Sequence, residues 1–185
     1  MENKYKFEKY KSLLCEWSNR MNLVAPSTLN DIDNRHIADS AQLADYLPKD
    51  ANIIDLGSGA GFPAVVLAIM GWNVTCTESI RKKINFLTEV KTQLKLDNLT
   101  IYHGRVEDYI SQLSPDNKYI FTARAFASLP KILKYVGSTN YELFLLKGRS
   151  VMREIDVAKR FYLFDYELFP SKTGDGFILI VKKKI

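Results

Sequence analysis

Cysteine and histidine are scarce in this sequence, with two of each in 185 residues. Cys15 and Cys76 form no CxxC pair, and the cysteines and histidines together form no ligand cluster, which argues against a metal site. Each cysteine reads as a small buried apolar residue. No apolar run reaches the ~18–20 residues needed to span a bilayer. The start, Met1-Glu2-Asn3-Lys4-Tyr5-Lys6, lacks the apolar stretch of a signal peptide. Repeats, linkers and low-complexity tracts are missing as well. These absences predict a soluble, cytoplasmic chain without membrane or metal.

What the chain does have is a globular balance of 46% hydrophobic and 25% charged residues, with a formal net charge of +5. That charge permits a polyanionic partner without establishing one. Lysine and arginine cluster near residues 4–11, 81–83, 147–149 and 182–184, and only a fold can say whether these share a face.

Phe7, Tyr10, Leu14, Trp17 and Met21 recur in steps of three and four, predicting a helix. After Pro26 a second helix is expected to run to about Tyr46, capped by Ser27, Thr28, Asn30 or Asp31. The texture then changes. Strands are expected at 52–56, 72–77, 99–102, 119–122 and 141–146, alternating with helices at 62–70, 84–94, 106–113 and 129–136. Such alternation implies a parallel sheet. Residues 161–169 and 177–182 are strand-like, with Thr173-Gly174-Asp175-Gly176 as turn residues between them, and can form a terminal hairpin. The whole reads as a single domain over 1–185, with a helical lobe at 1–48 and an α/β core at 49–185.

The segment Asp55-Leu56-Gly57-Ser58-Gly59-Ala60-Gly61 follows the first expected strand and opens a helix, the position at which doubly wound sheets bind ligands. Its spacing is G-x-G-x-G, and Asp55 stands just before it. A dinucleotide would bring a pyrophosphate to this carboxylate and be repelled. S-adenosylmethionine brings an ammonium, a carboxylate and a sulfonium, so Asp55 suits the cation and the loop's N–H groups suit the anion. Glu78 closes the second strand about 20 residues on, where an acid can accept hydrogen bonds from ribose hydroxyls. A nicotinamide-dependent oxidoreductase is therefore disfavoured.

Over residues 17–148 the sequence resembles the bacterial small-subunit (16S) ribosomal RNA guanine-N7 methyltransferases, also called glucose-inhibited division protein B. The resemblance rests on Trp17, Asn22-Leu23, Arg35-His36-Ile37-Ala38-Asp39-Ser40, Gly57 to Pro63, Glu78-Ser79 with Lys82-Lys83 and Phe86-Leu87, Arg105-Val106-Glu107, Arg124-Ala125-Phe126-Ala127-Ser128-Leu129 and Lys147-Gly148. Ala64, Val24, Ser18 and Val106 depart from the family's usual residues. The resemblance implies a class I, Rossmann-like methyltransferase sheet with helices on both faces, a C-terminal antiparallel hairpin and an N-terminal helical extension. It implies cofactor contacts at Gly57, Phe62, Val106, Glu107 and Arg124, beside the Asp55, Gly59 and Glu78 read from the loop.

It also implies a partner in small-subunit ribosomal RNA, free or as ribonucleoprotein, bound by a monomer. Arg35, His36, Asp39, Ser40 and Lys147 are the expected substrate contacts, and Arg124 the expected catalytic group. Guanine N7 carries a free lone pair, so no general base is required and His36 is expected in the pocket wall. The alternatives are a methyltransferase acting on a small molecule or protein, and a non-catalytic RNA-binding module.

Overall fold

The computed structural model describes residues 2–184; Met1 and Ile185, the ends of the expected 1–185 span, lie outside the described residues. The first helix, α1 (Glu2–Ser18), forms because its apolar residues share one stripe. Tyr10 and Leu14 are fully buried, and Phe7, Trp17 and Met21 pack beside them, whereas Cys15 falls off the stripe and is exposed, unlike the buried Cys76.

The second expected helix is not a regular one. Pro26–Asp31 winds as a 3₁₀ helix, Asp33–Ala38 widens to π geometry, Asp39–Ala41 is one α turn (α2), and Gln42–Asp45 tightens again to 3₁₀. In the wide turn the Asp39 N–H donates to Asn34 O and His36 O, bypassing Arg35 O, its α-helical partner. A carbonyl is thereby released for a contact outside the helix, as π-bulges commonly allow.

Strands β1 (Asn52–Leu56), β2 (Asn73–Glu78), β3 (Leu99–His103), β4 (Lys118–Arg124) and β5 (Asn140–Lys147) are mutually parallel in the order β3-β2-β1-β4-β5. The expected terminal hairpin is present as β6 (Phe164–Pro170) and β7 (Phe177–Lys183), with β7 antiparallel to both β5 and β6. Strand β6 begins at Phe164 rather than 161, because α7 (Val151–Ala158) occupies the preceding segment. That helix was not among the expected elements. Its signal was the spacing of Val151, Ile155 and Ala158, all fully buried.

Helices cover both faces. α1, α3 (Ala64–Ile69) and α4 (Arg81–Leu94) pack one side, and α5 (Val106–Ile110), α6 (Leu129–Val136) and α7 the other. Ile53 faces the first layer and Ile54 the second; Ile178 and Ile180 alternate likewise with Leu179 and Val181. Burial on both faces explains the near-continuous apolar runs. The basic clusters divide between the ends of the sheet. Residues 81–83 and 147–149 follow the carboxyl ends of β2 and β5, whereas Lys182 pairs with Glu142 near the start of β5. No described helix is long and apolar enough to cross a membrane.

The lobe is fastened to the sheet beneath the glycine loop. The Tyr10 hydroxyl, fully buried, donates to Ala60 O at 2.6 Å. A Cβ on Gly61 (φ +92°) would meet Val65 at 2.5 Å and the Tyr10 hydroxyl at 3.0 Å, so glycine is required there. Tyr10→Phe keeps the ring but leaves a buried carbonyl unpaired. Urea denaturation should show a loss of about 1–3 kcal/mol; an unchanged midpoint would mean that the bond contributes nothing.

Candidate cofactor and substrate site

Strand β1 ends in a loop that only small residues can build. Gly57 (φ +66°) and Gly59 (φ +58°) lie in the left-handed region. A Cβ on Gly57 would fall 2.3 Å from the Phe126 ring. The loop is held from β2: Gly57 N–H donates to Thr77 Oγ1 (3.2 Å), and Gly59 N–H to Glu78 Oε2 (3.0 Å). The other Glu78 oxygen accepts from the N–H groups of Ser79 and Ile80. An ionised carboxylate offers about four acceptor positions; these three backbone donors take three, and the Lys83 ammonium stands 4.0 Å from Oε2.

Asp55 is the anomaly of the loop. It is 1% exposed, its Oδ1 accepts from Thr122 Oγ1 at 2.8 Å, and its Oδ2 is buried without a hydrogen-bond partner among the described residues. Burial pushes its pKa up from 3.8 to about 6. With the folded pKa raised, its contribution to stability is complete below 3.8 and is lost as pH rises through about 6. At neutral pH the free protein therefore holds a buried charge that a ligand cation would relieve.

The Arg-His-x-x-Asp-Ser segment meets the sheet through Arg124, the last residue of β4. Its guanidinium donates to Arg35 O (2.8 Å) and His36 Nδ1 (2.9 Å), and its Nε pairs with Asp39 Oδ2 (3.1 Å). Burial draws its pKa downward, and Asp39 opposes that shift. Because the arginine can only donate, His36 Nδ1 must accept, and Nε2–H then donates to Thr28 Oγ1 at 2.8 Å. His36 is 6% exposed and stacks on Phe62 at 4.9 Å. Burial, with Arg124 and Arg35 nearby, lowers its pKa from 6.5 to about 4. The neutral ring thus supports the fold above 6.5, and that support fades as pH falls towards 4.

Phe62 is also buried, packed between Tyr10 (5.3 Å), His36 and the Arg124 guanidinium (5.5 Å). Its ring thus meets the lobe from below the loop. Ser40 is fully buried and donates to His36 O; it holds the backbone of the π turn and does not line the cleft.

A cleft of about 820 Å³ opens beside this clamp. It is lined by Arg35, Asp39 and Arg124 of the clamp, by Phe126 and Lys147, and by the β6–β7 turn. Lys147 is not free for substrate. Its side chain is 8% exposed, donates to Ala127 O at 2.9 Å and pairs with Glu154 Oε2 at 2.6 Å, and that oxygen also accepts from Leu129 N–H. Arg35 is exposed at the rim, and Arg149 and Asp175 bridge the mouth as an exposed ion pair.

The turn is tied back to the lobe: Thr173 Oγ1 donates to Asp39 Oδ1 at 2.9 Å, and Lys172 N–H to Gln42 Oε1 at 3.0 Å. Val106 and Glu107 lie apart from this clamp, at the start of α5. Val106 is buried and Glu107 exposed, and Gly104 N–H donates to Glu78 O at 3.0 Å beside them. Glu154, Tyr10, Thr28 and Thr122 were not among the expected site residues. Tyr10 and Thr122 act through partners 50 and 67 residues away, and Thr28 and Glu154 through His36 and Lys147, which the fold has to bring into place.

The sheet order, the antiparallel β7 beside β5 and the glycine loop after β1 define the class I fold of S-adenosylmethionine-dependent methyltransferases. Among solved structures, the chain is similar to a TehB-like SAM-dependent methyltransferase from Corynebacterium glutamicum, with a TM-score of 0.62 and 13% identity over 96% of this chain and 99% of that one. At that identity the likeness concerns the fold. In sequence it is 37% identical over 179 residues to the ribosomal RNA small subunit methyltransferase G of Dinoroseobacter shibae, covering 90% of this chain and 88% of the relative. It is 39% identical over 182 residues to the protein of that name from Orientia tsutsugamushi (strain Ikeda), covering 96% and 89%. Residues 3–172 match the GidB family, rRNA small subunit methyltransferase G, and the chain belongs to that family.

Two measurements check the electrostatics. S-adenosylmethionine affinity, followed by calorimetry, should weaken as pH falls through about 6, where Asp55 takes up its proton. In Asp55→Asn binding should be weaker and lose this pH dependence; a retained dependence would point to another group. For His36, nitrogen NMR should show the Nε2–H tautomer at neutral pH and a titration midpoint near 4. A midpoint at the ordinary value would mean that the lobe does not hold the ring as described.

Proposed function

We propose that this chain transfers a methyl group from S-adenosylmethionine to N7 of a guanosine in small-subunit (16S) ribosomal RNA. In this reading it acts in the cytoplasm as a monomer and as one methyltransferase domain, lobe included, on free RNA or on ribonucleoprotein. The observation that carries the reading is the unpartnered, buried Asp55 Oδ2 at the glycine loop, adjoining an arginine-rimmed cleft.

The residues present fit the cofactor. Asp55 supplies the missing partner for its ammonium, Gly57 and Gly59 allow close backbone approach, and the fourth acceptor position of Glu78 suits a ribose hydroxyl. The start of α5 after β3, at Val106 and Glu107, serves the adenine. Phe62 supports the loop from below. When bound, the cofactor supplies an electrophilic methyl group on a positively charged sulfur.

The chain's own task is to orient the base. Guanine N7 needs no proton removed, which agrees with a His36 whose two ring nitrogens are both engaged. Arg124 is better described as a positioning residue than as a reader of the base, since it is already bonded to the Arg35–Asp39 segment. Arg35 and Arg149 are the cations placed to meet phosphate, so RNA binding should weaken with salt.

The test is methyl-labelled S-adenosylmethionine with small-subunit RNA from cells lacking the gene, followed by mapping of the modified base. Label on guanine N7 is expected. Binding of the cofactor without labelling of RNA would point to a small-molecule or protein substrate, and failure to bind it to a non-catalytic RNA-binding module.

A further inference from the structure

We propose that Phe126 is the platform on which the target guanine stacks, and that its face attracts the positive charge the base acquires. The inference rests on the functional reading above and assigns the acceptor side of that site.

Phe126 has a singular position. Its ring packs so closely on the glycine loop that a Cβ on Gly57 would lie 2.3 Å from Cδ2 and 2.7 Å from Cε2. The same half-buried ring lines the cleft. It therefore stands where the cofactor loop and the cleft adjoin. Tyr135 supports it from α6, with ring centroids 6.0 Å apart.

The backbone that presents Phe126 is strained. Ala125 has φ of +51°, a left-handed conformation that costs a residue with a Cβ. Such strain persists only where the surroundings over-determine it, and it gathers at functional sites. The surroundings here do so. On one side Arg124 is fixed by three contacts to the lobe. On the other, Lys147 holds Ala127 O and Glu154 holds Leu129 N–H. Neither cation reaches out to substrate; together with Glu154 they fix both ends of the six-residue segment from Arg124 to Leu129. What that segment displays to the cleft is an aromatic ring.

Stacking on a protein aromatic is a general way to hold an unpaired RNA base. This reaction adds a reason for it. The N7 lone pair forms the new N–C bond as the C–S bond breaks, the electron pair of that bond stays on sulfur, and no proton moves. The positive charge passes to the guanine ring. An aromatic face attracts a cation and does so more strongly when water is excluded, so the contact strengthens along the reaction.

The test compares Phe126→Leu with Phe126→Tyr in methylation of small-subunit RNA, with cofactor affinity measured separately. Leucine keeps apolar bulk against Gly57 but has no aromatic face. Its kcat/KM for RNA should fall roughly tenfold or more, the scale of one lost base stack, while cofactor affinity stays within about threefold; tyrosine should stay near wild type. Phe126→Met, which fills similar space, serves if leucine disturbs folding by thermal melt. The proposal is overturned if the leucine or methionine variant keeps wild-type kcat/KM. It is also overturned if cofactor affinity falls in step with RNA methylation, since the ring would then only shape the glycine loop. Wild-type protein that binds cofactor but leaves ribosomal RNA unlabelled would sink the functional reading itself, and the proposal with it.

Discussion

Arg124 carries a charge that no physiological pH removes, and the fold buries most of it at the end of β4. A buried cation must be met by acceptors, and β4 itself offers none. They come from the N-terminal lobe: Arg35 O, His36 Nδ1 and Asp39 Oδ2. In a regular α-helix Arg35 O would already accept from the Asp39 N–H and have only its second lone pair left for Arg124. The π turn shifts that N–H to Asn34 O and releases the carbonyl. The irregular winding of residues 33–38 is thus the form that lets the lobe dock, with 3₁₀ turns on either side of it. Truncating Arg124 would leave Asp39 without its cation and free all three contacts at once, so the lobe, the clamp and the cleft wall are coupled.

The buried charges of this end of the sheet fall into two kinds. Arg124 and Lys147 are saturated by protein groups, and so their work is mechanical: each fixes one end of the turn from Arg124 to Leu129. Asp55 is the reverse. One of its oxygens has a partner and the other has none, which is what burial pushing its pKa to about 6 expresses. A group held at such a disadvantage is a place where a ligand cation gains more than it would in water. The two cations are thus spent on geometry, whereas Asp55 keeps an acceptor without a partner among the described residues.

Much of this was legible in the sequence, and the parts that were not share a cause. The alternation of short apolar runs and helical stripes located the five parallel strands and the terminal hairpin, because periodicity is local. The glycine loop and Asp55 were visible for the same reason. Helix α7 was overlooked although Val151, Ile155 and Ala158 marked it, since the stripe spans only about two turns. The π turn could not have been foreseen: nothing in Asp33–Ala38 itself breaks an α-helix, and the deviation is imposed by an arginine far along the chain. Arg124 and Lys147 were expected to touch substrate. The family resemblance was the signal, and only the fold reveals that Asp39 and Glu154 already engage them.

The position of the site follows from the strand order. β1 lies between β2 and β4, so the chain moves outward in one direction through β2 and β3 and in the other through β4 and β5. At that reversal the loops after β1 and β4 diverge and leave a crevice at the carboxyl ends of the strands. One loop carries Gly57 and the other Phe126, and the two touch. A crevice alone would be open to water on the side where the sheet ends. Here the lobe closes it through Tyr10, which packs on Phe62 of the core and bonds Ala60 O, and through His36 and Asp39. The contacts run without a gap from Ala60 O to the cleft wall. Donor loop and acceptor cleft therefore share a common set of supports, and a reaction that asks for alignment rather than proton transfer gains most from such rigidity.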